Sequence, residues 1–424
     1  MNTIRRLTAA LAGLAGALLV YAAAAPAALA QPFPPRAPGW DKHPPYQAGI
    51  HTVVAGGMPG WQIALIAIGA ALLAATVAVL VDRARAAHAR PISRPPEPSR
   101  QATGDARPQP GAGRRGRRPA GPMTGRNIMQ DFNRGTVRAN QLTFEYLTQG
   151  DGPLALCMHG FPDSPYSYRY LLPALAEAGY RAVAPFNRGF APTELPDDRH
   201  HVHSSTMVAD QIALHEALDG DSDAILIAHD WGTVGAWGAA GKEPGRWRRL
   251  VILNIPPLAI FGENIVTYDQ IKRSFYFWYF QMQQVAENVI RADDFAFIDR
   301  IWADWSPGYD ASEDLLKAKE CIRQPEHFQA ALGYYWGQFD PTRFGSPEWA
   351  AEQAAAWGKD VTVPTLYLHG TQDGCHGMTQ EQVDRVSQHC GPGSQSELID
   401  GVGHFLMVER PTDINKRILH FIAA

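Results

Sequence analysis

The 424 residues, 46% of them hydrophobic, are enough for one large or two ordinary domains. A formal net charge of −4 hides a division of the chain: residues 1–125 balance at +10 and the remainder at −14, so a basic front end precedes an acidic body. The four cysteines (Cys157, Cys321, Cys375, Cys390) have neither metal-ligand spacing nor disulfide density, which excludes both of those classes and reads as reduced thiols.

Met1 to Ala30 carries Arg5-Arg6, an apolar run from Leu7 to Ala25 and Ala28-Leu29-Ala30, the three parts of a secretory signal peptide. The same run is near the ~20 residues that span a bilayer, so an uncleaved first membrane helix is the alternative. Residues 31–60 are rich in Pro and Gly and read as a short exposed loop. Trp61 to Val81 is apolar apart from Gln62 and reads as a transmembrane helix. Residues 82–125 interleave arginines with Pro, Gly and Ala, a composition that forms no core and reads as a disordered basic linker. Arginines directly after a membrane helix favour the cytoplasmic side, which predicts a membrane location with the body in the cytoplasm. No aromatic residues interleave the tract, so attraction to anionic lipid is a better account of it than nucleic-acid binding. Met123 offers an alternative start for a soluble form.

From about Arg126 the pattern is globular. Leu142 to Thr148, Leu154 to Met158, Arg181 to Ala184, Ala224 to Ala228, Leu250 to Asn254, Val363 to His369 and Ser396 to Leu398 read as strands. Tyr166 to Ala178, Ser205 to Leu218 and the segment opened by Pro411 read as helices. Strands alternating with helices predict a mainly parallel sheet covered on both faces. The stretch of about 257–357 is helix-rich and aromatic and reads as a lid over the strand ends, where ligands bind in such sheets.

One stretch carries the chemistry. The apolar run up to Ala228 stops at His229-Asp230-Trp231-Gly232, and a small-residue helix begins at Thr233. A strand, tight turn and helix is the setting of a nucleophile elbow, here with Asp230 at its tip instead of Ser. An ionised carboxylate can displace a leaving group from a saturated carbon and form an alkyl ester. Asp230 also reads more simply as the cap of the following helix. His404, between glycines in Gly401-Val402-Gly403-His404-Phe405, is the candidate base, and Asp373, just past a strand, can orient it. In His159-Gly160-Phe161-Pro162 the Phe161 N–H, with that of Trp231, is placed to hold charge on an ester oxygen, while His159 and Gly160 support the loop. His229 reads as a packing residue and His376 as part of an exposed turn. The tract His200, His201, His203 has no acidic or cysteine partner and reads as solvated loop, so no metal is expected.

These motifs carry a resemblance. From about residue 126 to 424 the chain resembles the α/β-hydrolase superfamily and, within it, the epoxide hydrolase and haloalkane dehalogenase branch. His159-Gly160-Phe161-Pro162 is similar to that branch's H-G-x-P loop and His229-Asp230-Trp231-Gly232 to its H-D-W-G elbow. The order Asp230, Asp373, His404 matches the superfamily's nucleophile, acid and base. The resemblance implies the α/β-hydrolase fold with a helical lid, a small apolar electrophilic substrate and no cofactor. It also implies two lid tyrosines that hydrogen-bond an epoxide oxygen, falling on Tyr279 and Tyr335, with Tyr334 a rival for the second. Met282-Gln283-Gln284 departs from the family's common Pro-Gly, and Thr233 replaces its usual second Gly.

The reading is therefore a membrane-tethered hydrolase, an epoxide hydrolase first. A haloalkane or fluoroacetate-type dehalogenase is the alternative: the Trp231 indole can hold a halide, but Phe161 occupies the position where many haloalkane enzymes carry Asn. A serine esterase is disfavoured because no Ser sits on the elbow, and a non-catalytic binding module has no need of all three triad residues.

Overall fold

The computed structural model describes residues 132–424. The expected signal or first helix, the loop, the transmembrane helix and the basic linker all lie outside the described residues. Among the described residues no helix is long and apolar enough to cross a membrane.

Eight strands form one sheet: β1 (Asn133–Ala139), β2 (Leu142–Gln149), β3 (Leu154–Met158), β4 (Arg181–Pro185), β5 (Ile225–His229), β6 (Arg249–Leu253), β7 (Thr365–Gly370) and β8 (Gln395–Ile399). Their spatial order is β1-β2-β4-β3-β5-β6-β7-β8; β2 runs antiparallel to both of its neighbours, β1 and β4, and the remaining neighbours are parallel. Every residue of β3, β5 and β7 is buried, which is why these strands read as unbroken apolar runs rather than alternating ones. Outside the lid the helices are α1 (Leu171–Glu177), α2 (Ser204–Ala217) and α3 (Trp231–Lys242), followed after the lid by α11 (Gln380–Val386), α12 (Leu406–Glu409) and α13 (Pro411–Ala423).

Two elements differ from the sequence reading. The helix expected over Tyr166–Ala178 is a short 3-10 turn, Pro165–Tyr168, followed by α1. Pro173 lies in the first turn of α1, where its missing N–H costs nothing, and in the middle of one longer helix it would have broken the ladder. Strand β1 is an addition. Its residues are mostly polar because it is an edge strand with one partner, and it joins β2 through Asn140 and Gln141, both at positive φ.

Between β6 and β7 lie α4 (Leu258–Ile265), α5 (Tyr268–Arg273), α6 (Phe275–Tyr279), α7 (Gln283–Trp305), α8 (Ser312–Ile322), α9 (Pro325–Gln338) and α10 (Pro347–Trp357). Helix α7 is broken by non-helical backbone at Ala292 to Phe295. Local sequence sets several of the starts: Thr267 and Ser346 accept hydrogen bonds from the first-turn N–H groups of α5 and α10, and Pro325 and Pro347 open α9 and α10.

The lid is fastened to the sheet's catalytic end at the last turn of α7. The Trp302 indole N–H donates to the Pro162 carbonyl at 2.8 Å, and its ring stacks on Phe405 with centroids 3.4 Å apart. An aromatic pair of this kind contributes about 0.5–1.5 kcal/mol beyond its buried area. The Trp305 carbonyl accepts from the N–H groups of both His404 (2.9 Å) and Gly374 (3.1 Å). One helix end thus holds the loops after β3, β7 and β8 together. The strand order turns back on itself between β3 and β5, and in open sheets of this type that is where ligands bind beyond the strand ends.

Candidate active site

Asp230 directly follows β5 with φ 50° and ψ −124°, a conformation that L-residues rarely adopt and that costs about 1–3 kcal/mol. Surrounding bonds hold it there. Its N–H donates to Asn254 Oδ1 at 3.3 Å, and its carbonyl accepts from the Thr233 N–H (2.9 Å) and hydroxyl (2.6 Å). Thr233, which departs from the family's Gly, therefore supports the turn. Two glycines allow the approach: a Cβ at Gly160 would lie 2.1 Å from Asp230 Oδ1, and one at Gly232 would lie 2.3 Å from the Met158 carbonyl. The side chain does not cap α3. Instead, Asp230 Oδ1 accepts from the Phe161 N–H at 2.8 Å, so the loop after β3 grips one carboxylate oxygen.

The other oxygen faces His404. Asp230 Oδ2 lies 3.6 Å from His404 Nε2, while His404 Nδ1 is 3.0 Å from Asp373 Oδ2. Asp373 is fixed in turn by the N–H groups of Cys375 (2.7 Å) and His376 (2.9 Å) on Oδ1. All three residues are buried, at 6% exposure or less. Burial works against ionising Asp373, but His404 and these donors hold its carboxyl well below the usual carboxylate range. Burial likewise works against charging His404. The surrounding charges outweigh it, Asp373 foremost among them and Asp230 adding its own, and hold the imidazolium well above the ordinary histidine range.

Sequence reasoning missed Asn254, which follows β6 at φ 80°. Its Nδ2 donates to the His404 carbonyl at 3.0 Å while its Oδ1 accepts from the Asp230 N–H, so one amide ties the Asp230 turn to the His404 loop. Its only sequence signal was its place at the end of a strand in Asn254-Ile255-Pro256. His229 also acts from below: its Nε2 lies 3.1 Å from the His404 carbonyl, with Asp163 Oδ2 3.4 Å from its Nδ1. His159 keeps its loop in shape. Its Nε2 accepts from the Asn187 N–H at 3.0 Å and Nδ1 meets the Gly160 carbonyl at 2.9 Å, as a neutral ring does; burial is the main reason its pKa falls below the usual range.

Asp230 opens on a narrow cavity walled mostly by apolar and aromatic side chains that include Trp231, Phe277, Phe339 and Trp357. Tyr335 lines it, with its ring 5.2 Å from those of Phe161 and Trp231. Tyr334 turns aside and donates to the Arg188 carbonyl at 3.0 Å. The structure does not bring Tyr279 to the cavity. That ring stacks on Phe297 on the half-buried side of α6, and Tyr276, one turn earlier, lines the cavity instead, 5.6 Å from Tyr335. Burial first, with Asp230's charge adding to it, pushes both cavity phenols well above their usual range, so both remain protonated donors. His376 also differs from expectation. It is buried, lines the cavity, stacks on Phe261, and is pushed down to about 3 by burial, because its turn is roofed by the lid. Among the histidine tract, His200 stacks on Trp336.

An anionic carboxylate with one oxygen held by a backbone N–H and the other beside a carboxylate-oriented histidine can alkylate and then be hydrolysed. The α/β hydrolase fold family matches residues 153–411. The chain is 30% identical over 290 residues to the AB hydrolase superfamily protein YfhM of Bacillus subtilis (strain 168), covering 68% of this chain and 96% of that protein. It is 29% identical to epoxide hydrolase A of Mycobacterium tuberculosis, over 64% of this chain and 90% of that one. An epoxide hydrolase structure from an endophytic Streptomyces superposes with a TM-score of 0.57 at 25% identity, over 69% of this chain and 95% of that one. The strand order, the turn at Asp230 and these matches agree: the chain belongs to the α/β-hydrolase fold family and is an epoxide-hydrolase-like hydrolase within it.

Proposed function

We propose that the chain opens epoxides to diols through an ester on Asp230. The observation that carries this reading is that Asp230, Tyr276 and Tyr335 line one largely apolar cavity. Opening an epoxide leaves a basic alkoxide on the substrate, which needs an acid to receive it; a phenol with an unperturbed pKa of about 10 can donate that hydrogen bond or proton. A departing halide needs no proton, so two buried phenols in the cavity that Asp230 lines favour epoxide over halide.

Asp230 Oδ2 attacks a ring carbon while Oδ1 stays on the Phe161 N–H. The ring C–O bond breaks and its oxygen takes a proton from Tyr276 or Tyr335. Alkylation cancels the Asp230 charge, one of the groups that keep His404 protonated, so the imidazolium gives up its proton more readily; that proton restores the phenol and leaves His404 neutral for the second step. Neutral His404 then takes a proton from water as its oxygen adds to the ester carbon. The charge that develops on Oδ1 is met by the Phe161 N–H and the N-terminal end of α3, and collapse releases the diol.

The tyrosine assignment has a direct test. Tyr276→Phe and Tyr335→Phe should each slow turnover of a styrene-oxide-like epoxide, and together by roughly 10²–10⁴-fold, the range of general acid catalysis. Tyr279→Phe should stay near wild type, since that residue does not line the cavity. Unchanged epoxide turnover in a folded Tyr276→Phe, Tyr335→Phe double variant, with release of chloride or fluoride from alkyl halides, would instead identify a dehalogenase.

The N-terminal region motivates a second part of the proposal: the hydrolase is tethered by Trp61 to Val81 with its body on the cytoplasmic side. The support is an apolar length matched to a bilayer, followed by arginines. A reporter that works only in the cytoplasm, fused at the C-terminus, should be active. Activity of the complementary export-dependent reporter would overturn the orientation.

A further inference from the structure

Cys375 is a free thiol that lines the cavity and that the proposed reaction does not use. It stands two residues beyond Asp373, on the turn that carries the acid to His404. Its sulfur, one carboxylate oxygen of Asp230 and one ring nitrogen of His404 all lie within 4.8 Å of one another, and the three side chains are buried. Among the described residues this is the group of three such side chains that meets closely enough to share an ion. A second observation points the same way. Nε2 of His404 is buried without a hydrogen-bond partner and faces Asp230 Oδ2 at 3.6 Å.

We infer that Asp230, Cys375 and His404 form a binding site for a soft divalent cation of the zinc and cadmium kind, one that silences the enzyme by occupying nucleophile and base together. Such an ion takes ligands at about 2.0–2.3 Å in tetrahedral geometry, which sets them about 3.3–3.8 Å apart. The Asp230–His404 pair already has that spacing. A thiolate with an imidazole selects zinc or cadmium over magnesium or calcium. The outer contacts suit it as well: Asp373 on Nδ1 turns Nε2 toward the ion, and the Tyr276 hydroxyl lies 3.3 Å from the sulfur, able to donate to a thiolate. Binding is an exchange without redox change, in which the cation replaces the Sγ proton and any Nε2 proton, which leave to solvent. The fourth position opens on the cavity.

The site stands on the three side chains and not on the identity of the substrate, so its test needs no turnover. Full-length protein titrated with cadmium chloride should develop the near-ultraviolet thiolate-to-cadmium absorption band, saturating at one equivalent. Cys375→Ser, its fold checked by circular dichroism, should lose the band and bind cadmium weaker by roughly tenfold or more, since even losing an outer-sphere partner costs about 10–100-fold. Cys390→Ser, which alters the half-buried thiol, should keep it. In the unaltered protein, cadmium should shield the Cys375 peptide from a small thiol-alkylating reagent, and chelation should restore labelling. A band of undiminished strength in Cys375→Ser, no band in the wild type, or labelling of Cys375 that ignores cadmium would each overturn the inference.

Discussion

Asp230→Asn should abolish diol formation, by about 10⁴-fold or more, the scale on which removal of a covalent nucleophile acts. The substitution is close to isosteric. An amide oxygen in place of Oδ1 can still accept from the Phe161 N–H, and the backbone bonds to Asn254 and Thr233 do not involve the side chain. The fold should therefore survive, while the atom facing His404 becomes an amide nitrogen with no usable lone pair. Product chromatography against a thermal melt separates the two effects. A folded variant that still makes diol at more than a few per cent of the wild-type rate would remove Asp230 from the reaction.

His404→Gln should behave differently in kind. Attack by Asp230 needs no base, so the first half-reaction persists and the ester accumulates, whereas general-base loss slows its hydrolysis by roughly 10²–10⁴-fold. Intact-mass measurement should find one substrate-derived adduct per chain, and peptide mapping should put it on Asp230. The wild-type pH dependence follows from the same charges. In the free enzyme the carboxylates outweigh burial and hold His404 protonated. Esterifying Asp230 removes one of them, so in the ester the histidine loses its proton at a lower pH. Ester decay in single-turnover experiments should rise with pH, with its midpoint on the acid side of the free enzyme's His404 titration. Normal turnover in His404→Gln would mean that another group activates the water.

The parts of this site that were legible in the sequence are those that depend on a few consecutive residues. The runs before Asp230 and His159 announced buried parallel strands, because a strand covered on both faces is apolar throughout. The glycines beside the elbow and in the H-G-x-P loop announced close backbone approach, and the approach of Gly160 to Asp230 is the contact they permit. What stayed hidden depends on packing between distant segments. Tyr276 and Tyr279 are three residues apart on α6, hence on neighbouring faces of one short helix, and only its docking against α9 decides which ring meets the cavity. His376 reads as an exposed turn until the lid covers it. Asn254 gains its role from two loops that approach from β5 and β8, and Cys375 becomes notable only beside Asp230 and His404. Strand β1 is polar because it lies at the sheet edge, and Asn140-Gln141 lacks the Gly that marks most two-residue hairpin turns.

The covalent step itself is open to a single isotope measurement. If water attacks the ester carbon, the diol takes its new oxygen from Asp230 and the water's oxygen stays in the Asp230 carboxylate. Enzyme in excess over a styrene-oxide-like epoxide, allowed one turnover in heavy-oxygen water, should therefore yield unlabelled diol and a labelled peptide containing Asp230. Heavy oxygen in the first-turnover diol, with the Asp230 peptide unlabelled, would contradict the account: water would then have opened the ring directly, with Asp230 as its base or as a bystander.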